Sequence, residues 1–448
     1  MPIFGGRHGY CDGVSRRDFL RIGSAGFGGL TLANLLRAES NLPSAKSSSK
    51  KAIINVHLSG GPPQIDMFDL KPDAPREFRG EFNPIATNVP GIEICELFPR
   101  LAQMADRFSI VRTVVGSVGL HENYQTSSGW GVKDLQSAGG RPSLGSVASK
   151  LIGSLDGKAP PYIDFVPYHE TKIVGKPGFL GQKFAAYSPD PYGVEQDNLR
   201  RRAGMTNQRI DERLSLIQGL DRLKRRAQDS TMMEAMDVFS QQAVNVLTSG
   251  KIAWALDLTK EDPRTVSRYR DERPDDSDRA KLIVTHNDRF VMARRLIEAG
   301  VRCVNTHWAG WDTHDWNFRD LKGQLPKMDV GLSALIEDLT VRGMIDDVMV
   351  VVWGEFGRTP RINNNNGGRD HWVETSCAMV FGGGIQGGRV VGETNRLAEH
   401  PVARPVHFQE MFATFYHLLG IDLDTQLTDH NGRPHYLLDH RQPVTELL

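Results

Sequence analysis

Residues 348–372, VMVVVWGEFGRTPRINNNNGGRDHW, restrict the fold more than any other stretch of the chain. The apolar run 348–352 is short, continuous and mostly β-branched, which predicts a strand buried on both faces, as in a parallel sheet. Trp353, Gly354 and Glu355 follow at once, so a carboxylate stands where the strand leaves the sheet. In open α/β sheets ligands bind just beyond the carboxyl ends of the strands. Gly357, Arg358, Pro360 and Arg361 then form a bent loop whose two guanidinium groups suit an oxyanion. A polar loop, 363–368, leads to Arg369, Asp370 and His371. Two carboxylates, several arginines and a histidine within seventeen residues form a candidate site.

Other segments repeat this grammar. Ala52–Leu58 (AIINVHL) reads as a first buried strand, followed by Ser59-Gly60-Gly61-Pro62-Pro63 and then Asp66 and Asp69. These two aspartates are either metal ligands on a loop or turn caps. No GxxxxGK[ST] or GxGxxG pattern accompanies the paired glycines, so nucleotide-phosphate cradling is not expected. Phe108–Val115 predicts a second strand, and Tyr124–Ser128 the helix after it. The loop between them suits an anion, and either Ser117 or His121 can project into it. Residues 301–305 predict another strand, leading into THWAGWDTHD. There Asp312 and His314 flank a single residue, so both side chains can reach one metal from an extended loop. Strands are also expected at 162–166 and 375–381, with helices at 142–152 and at 290–299, the last closed by Gly300. Met328, Leu332, Leu335, Ile336 and Leu339 mark a core-facing helix, and Phe408, Met411, Phe412, Phe415 and Leu419 mark a closing one. Strand–helix alternation of this kind predicts a three-layer α/β/α sandwich around a mainly parallel sheet. Residues 195–280 are richer in charge and helical in period, and read as a helical insertion.

Lysine plus arginine and aspartate plus glutamate number 54 each, so the formal net charge is zero and no polyelectrolyte partner is implied. The arginine clusters at 200–202 and 225–226 lack aromatic interleaving, which argues against nucleic acid. Nothing beyond residue 50 approaches the apolar length of a membrane span. The N-terminus carries an address: Ser15-Arg16-Arg17-Asp18-Phe19-Leu20-Arg21 matches the twin-arginine export pattern. The stretch 22–36 behind it is too short and too rich in glycine to span a membrane stably. The expected organisation is a signal segment at 1–38, a flexible serine-rich linker at 39–51 and one large domain at 52–448. Cleavage after Ala38 or Ala45, or a retained tether, are all compatible with the leader. Beyond the leader, Cys95, Cys303 and Cys377 are odd in number and widely spread, which is no disulfide framework.

Taken together, WDTH, GEFGRTP and GRDHW behind a twin-arginine leader, with HFQEMFATFYHLLGID and Gly432-Arg433-Pro434 near the end, resemble the alkaline phosphatase and sulfatase superfamily. They are closest to its bacterial "domain of unknown function 1501" family. The resemblance implies an alkaline phosphatase-like fold and a metal-dependent hydrolase of sulfate or phosphate esters in the periplasm or cell envelope. Its partners would be an anionic small-molecule or glycan ester and, during export, the twin-arginine translocase. The implied cofactor is one or two divalent metals, Zn first, with Ca, Mg or Mn where carboxylates dominate. Asp66, with or without Asp69, and Glu355 would hold one ion; Asp312, His314 and His371 would hold the other. Arg358 would hold an ester oxyanion, with Arg361 and Ser117 beside the substrate. The chain departs from the superfamily in having Ser59-Gly60-Gly61 after the first strand and no Cys-x-Pro-x-Arg near residue 119. That leaves His121 as nucleophile or ligand, and keeps open a non-catalytic, metal-stabilised binding module. Export is separately testable: replacing Arg16 and Arg17 by Lys is expected to hold the protein in the cytoplasm, as read by cell fractionation.

Overall fold

The computed structural model describes residues 50–121, 124–135, 139–165, 176–189, 250–271 and 286–448. The signal segment, most of the linker and most of the 195–280 insertion lie outside the described residues. Eight strands form the central sheet: β1 (Ala52–Leu58), β2 (Phe108–Val115), β3 (Tyr162–Phe165), β4 (Cys303–Trp308), β5 (Val348–Trp353), β6 (Ser376–Phe381), β7 (Arg389–Val391) and β8 (Val406–His407). Their order is β7-β2-β6-β5-β1-β4-β3, with β8 also paired to β2. Only β6 runs against the others, so the sheet is mainly parallel as expected.

Period-two alternation divides the strand side chains between two cores. Ala52, Ile54, Val56 and Leu58 of β1 join Val348, Val350 and Val352 of β5 in one core, under helices α3 (His286–Glu298) and α4 (Asn317–Val341). Ile53, Met349, Val351 and Trp353 face the other core. Helices α2 (Leu144–Leu151) and α5 (Phe408–Leu418) cover it. The short helix α1 (Tyr124–Ser128) follows β2. Helices on both faces of one sheet make the three-layer α/β/α arrangement. The expected strand at 301–305 instead starts at Cys303 and runs to Trp308. Thr306, His307 and Trp308 stay extended because β1 pairs with them through Leu58.

This register positions the site. His57 pairs with both His307 and Trp353, so β1, β4 and β5 end in one row. Three loops therefore leave the sheet side by side. Because β6 is antiparallel to β5, the whole connection 354–375 returns to the same edge. The loop after β2, which carries Ser117 and His121, opens there too.

The described part of the insertion is fastened by buried charge. Glu261 Oε2 accepts from Arg294 at 2.8 Å and from Arg295 at 2.8 Å, and its Oε1 accepts from Arg342 at 3.1 Å. Burial alone would raise the Glu261 pKa, but the hydrogen bond from Arg295 and the charge of Arg294 outweigh it and hold the group at about 2. A depressed carboxylate stabilises the fold above its unfolded pKa and loses that contribution as pH falls through the folded value. Glu261→Gln is therefore expected to melt several degrees lower than the parent at pH 7. The gap should shrink below pH 4.5 and close towards pH 2, as read by thermal melts across pH.

Candidate metal centre

Four side chains from three loops meet at the sheet edge. One ligand atom each from His121, Asp312, His314 and His371 lies within 4.8 Å of all the others. Asp312 is the centre: its Oδ2 is 3.3 Å from His121 Nε2, and its Oδ1 is 3.1 Å from His314 Nε2 and 3.4 Å from His371 Nε2. The opposite ring nitrogens are each held by an oxygen. His121 Nδ1 lies 3.0 Å from Glu355 Oε1, His314 Nδ1 lies 2.6 Å from Asp370 Oδ1, and His371 Nδ1 lies 3.0 Å from the Gly119 carbonyl. A carbonyl can only accept, so His371 donates from Nδ1 and turns its Nε2 inward, towards Asp312. That Nε2 is buried and has no hydrogen-bond partner. Phe356 packs against His371 at a tilt of 30°, with ring centres 4.2 Å apart, and limits how far the imidazole can swing.

Glu355 supports this arrangement without joining the four. Its buried Oε1 also accepts the Gly60 N–H at 2.8 Å. Its Oε2 faces His57 Nε2 at 3.4 Å, and His57 Nδ1 meets the Thr126 hydroxyl at 2.7 Å. Gly60 has φ +114°, and a Cβ there would overlap the Asp312 backbone nitrogen, so glycine lets the β1 and β4 loops touch. The electrostatics follow from this packing. Hydrogen bonds to Asp312 and then Glu355 raise the His121 pKa to about 9. Burial would push Asp312 up, but His121, His371 and Arg358 hold it well below the usual carboxylate range. Asp370 is lowered first by His314. Without a metal, His121 is thus an imidazolium shared by two carboxylates; an ion at the Nε2 atoms would replace that proton.

The remaining candidates from the sequence go elsewhere. Asp66 is buried in a two-pronged ion pair with Arg369, at 2.8 and 2.9 Å, and accepts from Asn317 at 2.8 Å. Asp69 accepts from Lys71 at 2.9 Å and from the Thr394 hydroxyl, and Arg112 Nε stands 3.7 Å away. The expected site of Asp66, Asp69 and Glu355 is therefore not assembled: arginine and lysine neutralise both aspartates, and His121 and Gly60 occupy Glu355. Arg358 is fully buried, and all three of its side-chain nitrogens donate inward, to the carbonyls of Gly60, Gly61 and Arg369 and to Asp312. That geometry braces Asp312 and does not present a guanidinium to a substrate. Arg361 is exposed. The Ser117 hydroxyl donates to the Glu355 carbonyl at 2.7 Å, which fastens the β2 loop to the β5 loop. The sequence places Asp370 in the candidate site without giving it a role, and gives His57 none. Asp370 adjoins His371 within GRDHW, and His57 interrupts an apolar strand one residue before its end.

A family model described as "Protein of unknown function (DUF1501)" matches residues 50–448. The chain belongs to that family. All four cluster residues lie inside the matched region. Among solved structures, Ps i-CgsB aligns at 10% identity and TM-score 0.36, over 84% of this chain and 73% of its own. The PsFucS1 sulfatase from Pseudoalteromonas sp. aligns at 9% identity and TM-score 0.38, over 87% and 70%. The lipoteichoic acid synthase LtaP from Listeria monocytogenes aligns at 9% identity and TM-score 0.32, over 88% of both chains. At such scores these overlaps say nothing about the chemistry of this site. No curated protein matches the chain.

If Asp66 is structural, Asp66→Asn leaves a buried Arg369 uncompensated and is expected to cost about 3–5 kcal/mol in urea unfolding. The variant should still take up metal; lost metal with unchanged stability would return Asp66 to the ligands.

Proposed function

We propose that His121, Asp312, His314 and His371 hold a divalent metal, and that the protein is an exported, metal-dependent hydrolase of sulfate or phosphate esters. One observation carries the reading: three imidazoles, each fixed at Nδ1 by an oxygen, aim Nε2 at one carboxylate. Three ring nitrogens and a carboxylate oxygen converging on one point make the donor set of a divalent cation, which would take the place of the proton that His121 otherwise shares with Asp312. Three imidazoles and one carboxylate suit Zn better than Ca or Mg, which prefer oxygen ligands. A bound ion supplies Lewis acidity towards a phosphoryl or sulfuryl oxygen. The chain's own residues do the positioning: Glu355 and Asp370 keep protons on the Nδ1 atoms of His121 and His314, and Gly119 does so for His371. Asp312, His121 and His314 are each nearly half exposed, so a substrate can reach the cluster. Ser117 spends its hydroxyl on the Glu355 carbonyl, which makes water the expected acceptor and His121 a ligand, not a nucleophile. The ester class itself follows the motif resemblance to alkaline phosphatases and sulfatases. The twin-arginine leader supports delivery to the periplasm or cell envelope, and no helix among the described residues is long and apolar enough to cross a membrane.

One observation favours a second reading. With Arg358 turned inward, the cluster has no buried guanidinium facing an anion, as a metal-stabilised binding module of the cell envelope would allow. Elemental analysis and turnover separate the two. Protein purified without chelator is expected to carry about one Zn per chain and to hydrolyse aryl sulfates, phosphates or phosphodiesters. His371→Ala should abolish both properties, and Asp370→Ala should weaken metal affinity about 10- to 100-fold. Absence of stoichiometric metal would sink the site; metal without turnover would favour the binding module.

A further inference from the structure

Four of the eight large apolar side chains left exposed among the described residues lie within three residues of a member of the cluster. Val118 and Leu120 flank Gly119, Val373 lies two residues after His371, and Trp316 lies two residues after His314. A Cβ on Gly119 would press against Val373 Cγ1, so the β2 loop and the segment after His371 touch here. Trp316 follows His314 by two residues, its Cα within about 7.6 Å of that of His314 by chain geometry. It is 42% exposed and sits in the left-handed region at φ 53°, ψ 30°, a costly conformation for a bulky residue. The strain has an identifiable cause. Asn317 is drawn inside by hydrogen bonds to Asp66 and Thr313, at 2.8 and 2.7 Å, and this holds Trp316 outward. Beside it, the asparagine loop is tied to the His314 carbonyl by the amides of Asn363 and Asn365, at 3.0 and 3.3 Å. Asn364 and Asn366 are exposed on that loop.

We propose that Trp316 is a stacking platform for a sugar ring at the mouth of the metal centre, with the asparagine loop meeting the hydroxyls. A pyranose presents an apolar C–H face and a polar rim, and this edge of the site offers an aromatic face next to amides. Such a pairing selects a carbohydrate ester over an aliphatic or inorganic one. The guanidinium of Arg319 covers the indole at 4.8 Å, and Asp320 holds that arginine by two hydrogen bonds of 3.0 Å, so one ring face is already braced. The inference rests on the proposed site but needs neither its metal nor its turnover.

Its test is a binding measurement on the metal-free, full-length protein. Neutral gluco-, galacto- and N-acetylglucosamine oligosaccharides are titrated and followed by saturation-transfer NMR. At least one is expected to bind through its ring C–H protons. Trp316→Ala should weaken it by tenfold or more, and Trp316→Phe should restore part of the loss. Trp254→Ala, which removes a tryptophan of similar exposure stacked by Arg295 on the insertion, should bind as the parent does. Trp316→Gly, which relieves the positive φ, should melt no lower than the parent and still lose the sugar. If no sugar binds, or if Trp316→Ala binds equally, the platform is wrong whatever the hydrolysis assay shows. A bound sugar without ester turnover would leave the platform standing and remove the hydrolase.

Discussion

The Glu355 carboxylate ties the ends of three neighbouring strands together. It lies at the end of β5, buried, and takes a backbone N–H from the β1 loop and a ring nitrogen from the β2 loop. Its own carbonyl accepts from Ser117, and its second oxygen faces His57 inside the sheet. A buried carboxylate is costly unless its lone pairs are satisfied. Here the partners that satisfy it are the loops that must be held together. Burial would raise its pKa, yet the hydrogen bond from His121 and the nearby His57 keep it lowered. One desolvated charge thus fixes the register of three loops and the orientation of the His121 ring.

Two further buried charges complete the frame. The pair of Asp66 with Arg369 pins the start of GRDHW to the turn after β1, and Arg369 also donates to the Thr359 and Phe78 carbonyls. Arg358 ties the β5 loop back to Gly60 and Gly61 while bracing Asp312. Both guanidiniums act as rigid multi-pronged donors, which a lysine could not replace. The reversed direction of β6 makes this possible, because the chain between β5 and β6 returns to the edge where the His and Asp side chains collect. Preorganisation follows: the imidazoles are held by their far nitrogens, so the proposed metal would require little further ordering on binding.

Much of this was legible in the chain itself. Apolar runs of strand length, separated by helical periods, determined a layered α/β domain with a mainly parallel sheet, because burial on both faces demands unbroken hydrophobic strands. Short polar stretches straight after those strands located the site, and Asp312, His314 and His371 were all named from them. What only the tertiary structure decided is which charges meet. Asp66, Asp69, Glu355 and Asp370 are equivalent as carboxylates on strand-end loops, and nothing local distinguishes them. Their roles depend on partners far away in sequence: Arg369 for Asp66, Thr394 for Asp69, His121 and Gly60 for Glu355, His314 for Asp370. Coulomb and hydrogen-bond energies fall off over a few ångströms, so the role of each carboxylate was settled only when the sheet brought those loops to one edge.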